Sequence, residues 1–104
     1  MSVVIELLKF HIDPNLRESF IQQDAEIWTA ALAKYPGFLS KEVWINSHKP
    51  SEVTFIIRWE TQEQWKAISE ADLVAIDSKF NQALGDIYQL IESAEYQVRK
   101  YPHT

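Results

Sequence analysis

Between Val3 and Ile12 the chain runs through β-branched and long aliphatic side chains, with charges at Glu6 and Lys9. That pattern predicts a strand. The stretch DPNLRES then opens a helix. Asp13 can accept from a free backbone N–H, and Pro14 suits the first helical position, where no N–H is needed. From Leu16 the apolar residues fall at 16, 20, 27 and 31, and on the adjoining ridge at 21, 28, 32 and 35. This is the spacing of an amphipathic helix of about 20 residues. Pro36 disfavours helical geometry at Tyr35 and Gly37 permits positive φ, so YPGF ends the helix.

FLSKEVWIN alternates Leu39, Val43 and Ile45 against Ser40, Glu42 and Asn46, as a half-buried strand does. SHKPSE is a loop. VTFIIRWE is a more apolar strand, suited to the centre of a sheet. Thr61 with Gln64, and Ser69 with Asp72, have the spacing at which a hydroxyl caps a helix. They predict a short helix over TQEQWKAI and a second that turns Leu73, Ile76, Phe80 and Leu84 inward and ends near Gly85. AEYQVRKY alternates Ala94, Tyr96 and Val98 against Glu95, Gln97 and Arg99, an edge-strand pattern. DIYQLIES before it fits a helix end, a loop or the start of a strand.

The order strand, helix, strand, strand, helix, strand predicts an α+β fold of ferredoxin-like βαββαβ type, in one domain spanning 1–104. Both helices are expected on one face of a four-stranded antiparallel sheet. The first and third strands are expected at its centre and parallel to one another. The helices should cover Val53, Phe55, Ile57 and Trp59 together with Ala94, Tyr96 and Val98. The opposite face should carry Thr54, Ile56 and Arg58 with Glu95, Gln97, Arg99 and Tyr101, joined by Glu6 or Lys9 according to the register of the first strand. A small sheet with a half-apolar back usually finds cover. The expected partner is a second copy: a homodimer whose two sheets close into a barrel through Thr54, Arg58, Gln97 and Arg99, with the arginines paired to glutamates. A solvated sheet face is the alternative.

Composition narrows the function. A chain of 104 residues can hide roughly 65% of its unfolded surface. Four Trp, four Tyr and five Phe argue against disorder. Ten basic against fifteen acidic residues leave a formal charge of −5 and no basic stripe, so nucleic acid is not an expected partner. The chain has no cysteine, which excludes disulfides, thiolate metal sites and thiol nucleophiles and fits the cytoplasm. The first stretch lacks the basic leader and small-residue cleavage site of a signal peptide, and no run reaches the ~18 apolar residues of a membrane span.

The histidines form no metal-ligand spacing: His11 ends a strand, His48 lies in a loop and His103 in the tail. No metal or cofactor is expected. His11 is the one placed to edge a pocket. Asp24, four residues after Phe20, falls inside the apolar stripe of the first helix and needs a partner there. It is a general base in a cleft, or bonded to a Trp N–H or an Arg, or placed at the edge of the stripe. There is no Ser-His-Asp grouping, no GxSxG elbow and no glycine-rich phosphate loop. The aromatics Trp28, Tyr35, Phe38, Trp44, Trp59, Trp65 and Phe80 come from helix, strand and turn. They either fill the core or wall a pocket for a flat ligand.

YPGFLSKEVW, a strand ending RWET, and then QEQW resemble the antibiotic-biosynthesis-monooxygenase domain of the dimeric α/β-barrel superfamily, over roughly residues 3 to 100. In detail the chain looks most like a group of small cyanobacterial proteins in that superfamily. The resemblance implies a homodimeric barrel and cofactor-independent oxidation of a small aromatic or quinol-type substrate. It carries over Trp59 at the strand end and an aromatic at Trp65. The catalytic Asn of polyketide-oxidising members falls on Phe55. The Trp and His of haem-degrading members fall on Ile68 and Ser78, and their Asn has no counterpart from Val3 to Ile12. The catalytic residues are therefore unknown at this point. Trp28, Trp59, Trp65, Phe55, Asp24 and His11 are the ligand-binding candidates. Three functions stay open: a monooxygenase-like enzyme, a non-catalytic homodimer that binds or senses a small apolar ligand, and a structural or partner-binding protein whose pocket is filled by its own side chains.

Overall fold

A computed structural model of the chain describes residues 3–100. Strand β1 (Val4–Ile12) leads into a 3-10 turn (Pro14–Leu16), helix α1 (Arg17–Asp24), a π-helical stretch (Ala25–Thr29) and helix α2 (Ala30–Leu32). Strands β2 (Phe38–Ile45) and β3 (Glu52–Trp59), helices α3 (Gln62–Lys66) and α4 (Glu70–Leu84), and strand β4 (Tyr88–Gln97) follow. The sheet order is β2-β3-β1-β4, as a ferredoxin-like fold requires. Tyr101 and His103 lie outside the described residues.

β1 and β3 are central, but they run antiparallel rather than parallel. The reason is topological. A helical crossover returns the chain in its original direction, and the hairpin between β2 and β3 then reverses it. β3 is the most deeply buried strand: Val53 and Trp59 are 0% exposed and Phe55, Ile56 and Ile57 at most 3%.

The predicted local signals act as expected at three helix starts. Asp13 accepts from the Asn15 N–H at 2.8 Å, with Pro14 next to it. The Thr61 hydroxyl accepts from the Gln64 N–H and the Ser69 hydroxyl from the Asp72 N–H, both at 3.1 Å. At Thr61 the return bond differs from a reciprocal box: the hydroxyl donates to the Gln64 side-chain oxygen at 3.1 Å. Gly37 has φ +91, and a Cβ there would lie 2.5 Å from the Gln64 side chain. This turn needs glycine both for its backbone and for the close approach of α3.

The first helix is longer in pattern than in regular geometry. The π-helical stretch widens its turn to an i→i+5 repeat. α4 also departs from expectation. Phe80 is 3% exposed, but Leu73 is 36% exposed, so the N-terminal half of α4 stands away from the sheet.

β4 resolves the ambiguous stretch by starting at Tyr88. A bulge opposite Lys9 and Phe10 then shifts its faces. Ala94 pairs with Leu7 and Tyr96 with Ile5, across from Ile56 and Arg58. Ala94 and Tyr96 therefore lie on the back of the sheet, not under the helices. Glu95 lies opposite Glu6 and Gln97 opposite Val4, on the helix side. Glu95 holds α3 there, accepting from Gln62 at 3.0 Å and pairing with Lys66 at 3.2 Å. Arg99 lies past the end of β4 and is exposed. The back face keeps Thr54, Ile56 and Arg58 as expected and gains Ile5, Leu7, Trp44 and Tyr96. Arg58 pairs within the chain, to Glu42 at 2.5 Å, and Lys9 pairs with Glu92 at 3.2 Å.

The core has two parts. One joins Phe10, Ile12, Phe20, Ile27, Val53, Phe55 and Phe80, the other Leu32, Ile57, Trp59 and Ile68. Phe20 is the hub of the first: its ring lies 5.3 to 5.8 Å from those of Phe10, Phe55, Phe80 and Tyr88. Removing it leaves a cavity that both sheet and α4 border. We expect Phe20→Ala to destabilise the fold by about 3–5 kcal/mol. Urea denaturation checks this; a loss below about 1 kcal/mol would mean that the helix does not depend on this ring.

Candidate functional site

Where the two cores meet, a cleft of about 640 Å³ remains open between the sheet and the helices. Trp28 and Leu8 pack against both cores and mark the junction. Trp28, Trp59 and Trp65 all line the cleft, with Phe55, Ile57 and Leu32. The three indoles named from the sequence thus share one site. They do not fill it, which rejects a pocket packed with its own side chains. Leu73 and Val74 of α4 and Leu90 of β4 also line it, and at 36%, 56% and 49% exposure they form its rim. The stand-off of α4 produces the opening.

The cleft also carries charge. Asp24 is 2% exposed, and its Oδ2 lies 2.5 Å from the Lys41 Nζ and 3.4 Å from the Thr29 hydroxyl. The partner of this helix-stripe carboxylate is therefore a lysine of β2, not a Trp or an Arg. The π-helical stretch matters here, because its five-residue repeat sets Thr29 over Asp24. Lys41 reaches in from the edge strand with its side chain 4% exposed, its Nζ 4.4 Å from the Phe55 ring centre. Burial lowers the lysine's pKa and raises that of Asp24, and each charge partly offsets the other's shift.

Glu6 completes the group. It lies on the helix side of β1, opposite Ile57 and Glu95. Its Oε1 accepts from the Trp59 Nε1–H at 3.3 Å. Burial raises its pKa, while the Trp59 bond and the charges of Lys41 and Lys66 pull the other way. Its Oε2 has no protein donor among the described residues, and since no buried side-chain oxygen there lacks a partner, this one is open to solvent. Glu6 and Lys41 were not singled out as site residues from the sequence. The available signal was Glu6 itself, a carboxylate inside an apolar strand whose register decides which face it joins. Lys41 carried none, since a lysine on an edge strand is ordinarily a solvent group.

His11 does not belong to the cleft. It is exposed and faces the back of the sheet beside Glu52 and Gln89. Among the described residues no three His, Cys, Asp or Glu side chains converge as metal ligands, and no helix is long and apolar enough to cross a membrane.

The family model for antibiotic biosynthesis monooxygenase matches residues 3–74, and the chain belongs to that family. Solved structures share the fold at low identity. A monooxygenase from Streptomyces coelicolor, in complex with nanaomycin D, is 15% identical with a TM-score of 0.73, over 99% of this chain and 93% of that one. A cofactor-independent oxygenase from Streptomyces nogalater is 18% identical with a TM-score of 0.69, over 97% of both chains. A conserved protein from Methanosarcina mazei is 16% identical with a TM-score of 0.63, over 97% of this chain and 95% of that one. Among curated protein sequences none matches.

The raised carboxyl of Glu6 makes a stability prediction. From its ordinary value of 4.5 up to the raised one, the folded chain holds more protons than the unfolded chain. Stability from this group is then greatest at low pH and falls as pH climbs through the raised value. Glu6→Gln removes that loss. The thermal midpoint of Glu6→Gln relative to the native chain should therefore rise between about pH 4 and about pH 7. A difference that stays flat with pH would show that Glu6 is not raised.

Proposed function

We propose that this protein is a monooxygenase-type enzyme that binds a small, flat aromatic or quinol-type substrate in the indole-walled cleft and oxidises it without a cofactor. The observation that carries this reading is the cleft itself. Its volume of about 640 Å³ falls within the roughly 300–1,000 Å³ of ligand sites. Its walls are mostly apolar and include three indole rings; Glu6, Asp24 and Lys41 bring charge from β1, α1 and β2, and Asp77 and Ser78 line it from α4. Cofactor-free oxygenation needs a substrate that gives its own electrons to oxygen. The protein supplies exclusion of water, orientation and a place for the proton. Family membership and the oxygenases of similar fold support the same reaction class.

Oxygen uptake with a panel of hydroquinones and naphthols tests it. Uptake should exceed spontaneous oxidation, and Trp59→Phe, which keeps a ring but removes the N–H to Glu6, should lower it at least about tenfold, or ~1.4 kcal/mol of barrier. No uptake across the panel would reject the enzyme.

One observation favours a second reading, a non-catalytic dimer that binds an apolar ligand. Phe55, 2% exposed, stands where the polyketide-oxidising relatives carry an amide. Binding of the same panel without oxygen uptake would select it.

Both readings include a homodimer formed through the back of the sheet. Ile5, Leu7, Ile56, Ala94 and Tyr96 form an apolar strip there, with Tyr96 54% exposed and Trp44 49% exposed nearby. The pairs Arg58–Glu42 and Lys9–Glu92 flank it. Such a strip suits a two-fold contact between like sheets. Light scattering at micromolar concentration should give twice the chain mass, and Tyr96→Glu should shift it to the monomer. A monomeric native chain rejects the dimer. A cytoplasmic setting fits a chain without cysteine.

A further inference from the structure

The cleft holds more charge than an apolar guest needs. Asp24 and Lys41 satisfy one another at 2.5 Å. Glu6 has the Trp59 N–H, at 3.3 Å on Oε1, and its Oε2 has no protein donor among the described residues and is open to solvent. A carboxylate in that position, with an ammonium close by but beyond ion-pair contact, is arranged to receive a proton from a guest. We propose that Glu6 is the proton acceptor of the cleft, that Lys41 offsets the negative charge left on the guest, and that the ligand class is therefore a flat aromatic bearing an ionisable hydroxyl at the Glu6–Lys41 side. This rests on the reading of the cleft as an aromatic-ligand site and adds which end of the ligand points inward.

The step balances within the site. The O–H bond of the guest breaks, its electron pair stays on the guest oxygen, and the proton forms a new O–H bond on Glu6. One negative charge moves from Glu6 to the guest, and Lys41 remains ammonium beside Asp24. Several other elements bring charge to Glu6. Lys41 comes from β2, Lys66 from α3 and Glu95 from β4; the first two favour its ionised form and the third opposes it. Asp24, paired with Lys41, and Asp77 of α4 line the same cleft. Trp59 makes the assignment directional, because its N–H occupies one Glu6 oxygen and leaves the other for the guest. The carboxylate sits on a central strand, and Lys41 is pinned by a helix residue. Neither has to be recruited from a loop when the guest enters.

Equilibrium dialysis of the full chain against 1-naphthol and 1-methoxynaphthalene tests the proposal. The two probes match in shape, and only the first has a proton to give. At neutral pH the naphthol should bind about tenfold more tightly, as a charge-assisted hydrogen bond predicts. In Glu6→Gln the preference should fall to within about twofold while the ether binds as before. Acidification should erase the preference in the native chain and leave the Glu6→Gln ratio flat, which separates Glu6 from Asp24, Glu95 and Asp77. Lys41→Met should also narrow the preference. Because that change strands Asp24, it is paired with the double variant Asp24→Asn, Lys41→Met, which removes both charges together. Equal affinity for the two probes in the native chain would overturn the proposal and leave the aromatic cleft standing, as would a preference that survives Glu6→Gln. Binding of neither probe would overturn both.

Discussion

The contact between the Asp24 carboxylate and the Lys41 ammonium sets the shape of this protein's interior. Both side chains are under 5% exposed and their charged atoms are 2.5 Å apart. One comes from the first helical segment and the other from edge strand β2, so the pair ties the helical layer to the outer strand of the sheet. A buried ion pair recovers only part of what desolvation costs, and apolar residues of the same size are often as stable or more so. Losing one partner is worse, because the other is left charged and buried. The arrangement therefore has to be kept whole, and it holds a polar floor in a place where the rest of the helix stripe would build a closed core.

Around that floor the packing divides. Phe20 and its ring neighbours fill the space at one end, and Leu32, Ile57, Trp59 and Ile68 fill the other. Between them α4 touches the sheet through Phe80 and lifts away towards Leu73 and Val74. The void is thus framed by two rigid clusters. The π-helical stretch belongs to the same device: its widened turn brings Thr29 onto Asp24. Such stretches are often kept at functional sites because they reposition side chains that a regular helix would send elsewhere.

The two faces of the sheet carry separate work. The helix side holds the cleft and its charges. The back carries an apolar strip with charged pairs at its flanks, and the bulge in β4 is what places Ala94 and Tyr96 there. Trp59 and Arg58 are neighbours in sequence but serve opposite faces. A one-residue difference in the register of β3 would exchange their roles; the bulge acts on β4, where it decides which face Glu95 and Tyr96 join.

Much of the fold was legible along the chain. Alternation and helical spacing identify the strands and helices, and Asp13, Thr61, Ser69 and Gly37 mark the turns, because those signals are local. The convergence of Trp28, Trp59 and Trp65 was legible too, since helix, strand end and capped helix can meet in only one place in this topology. The sequence could not show which face β4 presents. A bulge depends on its partner strand, so Ala94, Tyr96, Glu95 and Gln97 changed sides. Nor could it show that Leu73 stays at the rim, since a helix stripe does not state its distance from the sheet. Above all, the group of Glu6, Asp24 and Lys41 is drawn from three elements with no common motif. Its members are ordinary residues one at a time, and only the packing of helix on sheet removes water from them and turns their charges toward one cleft.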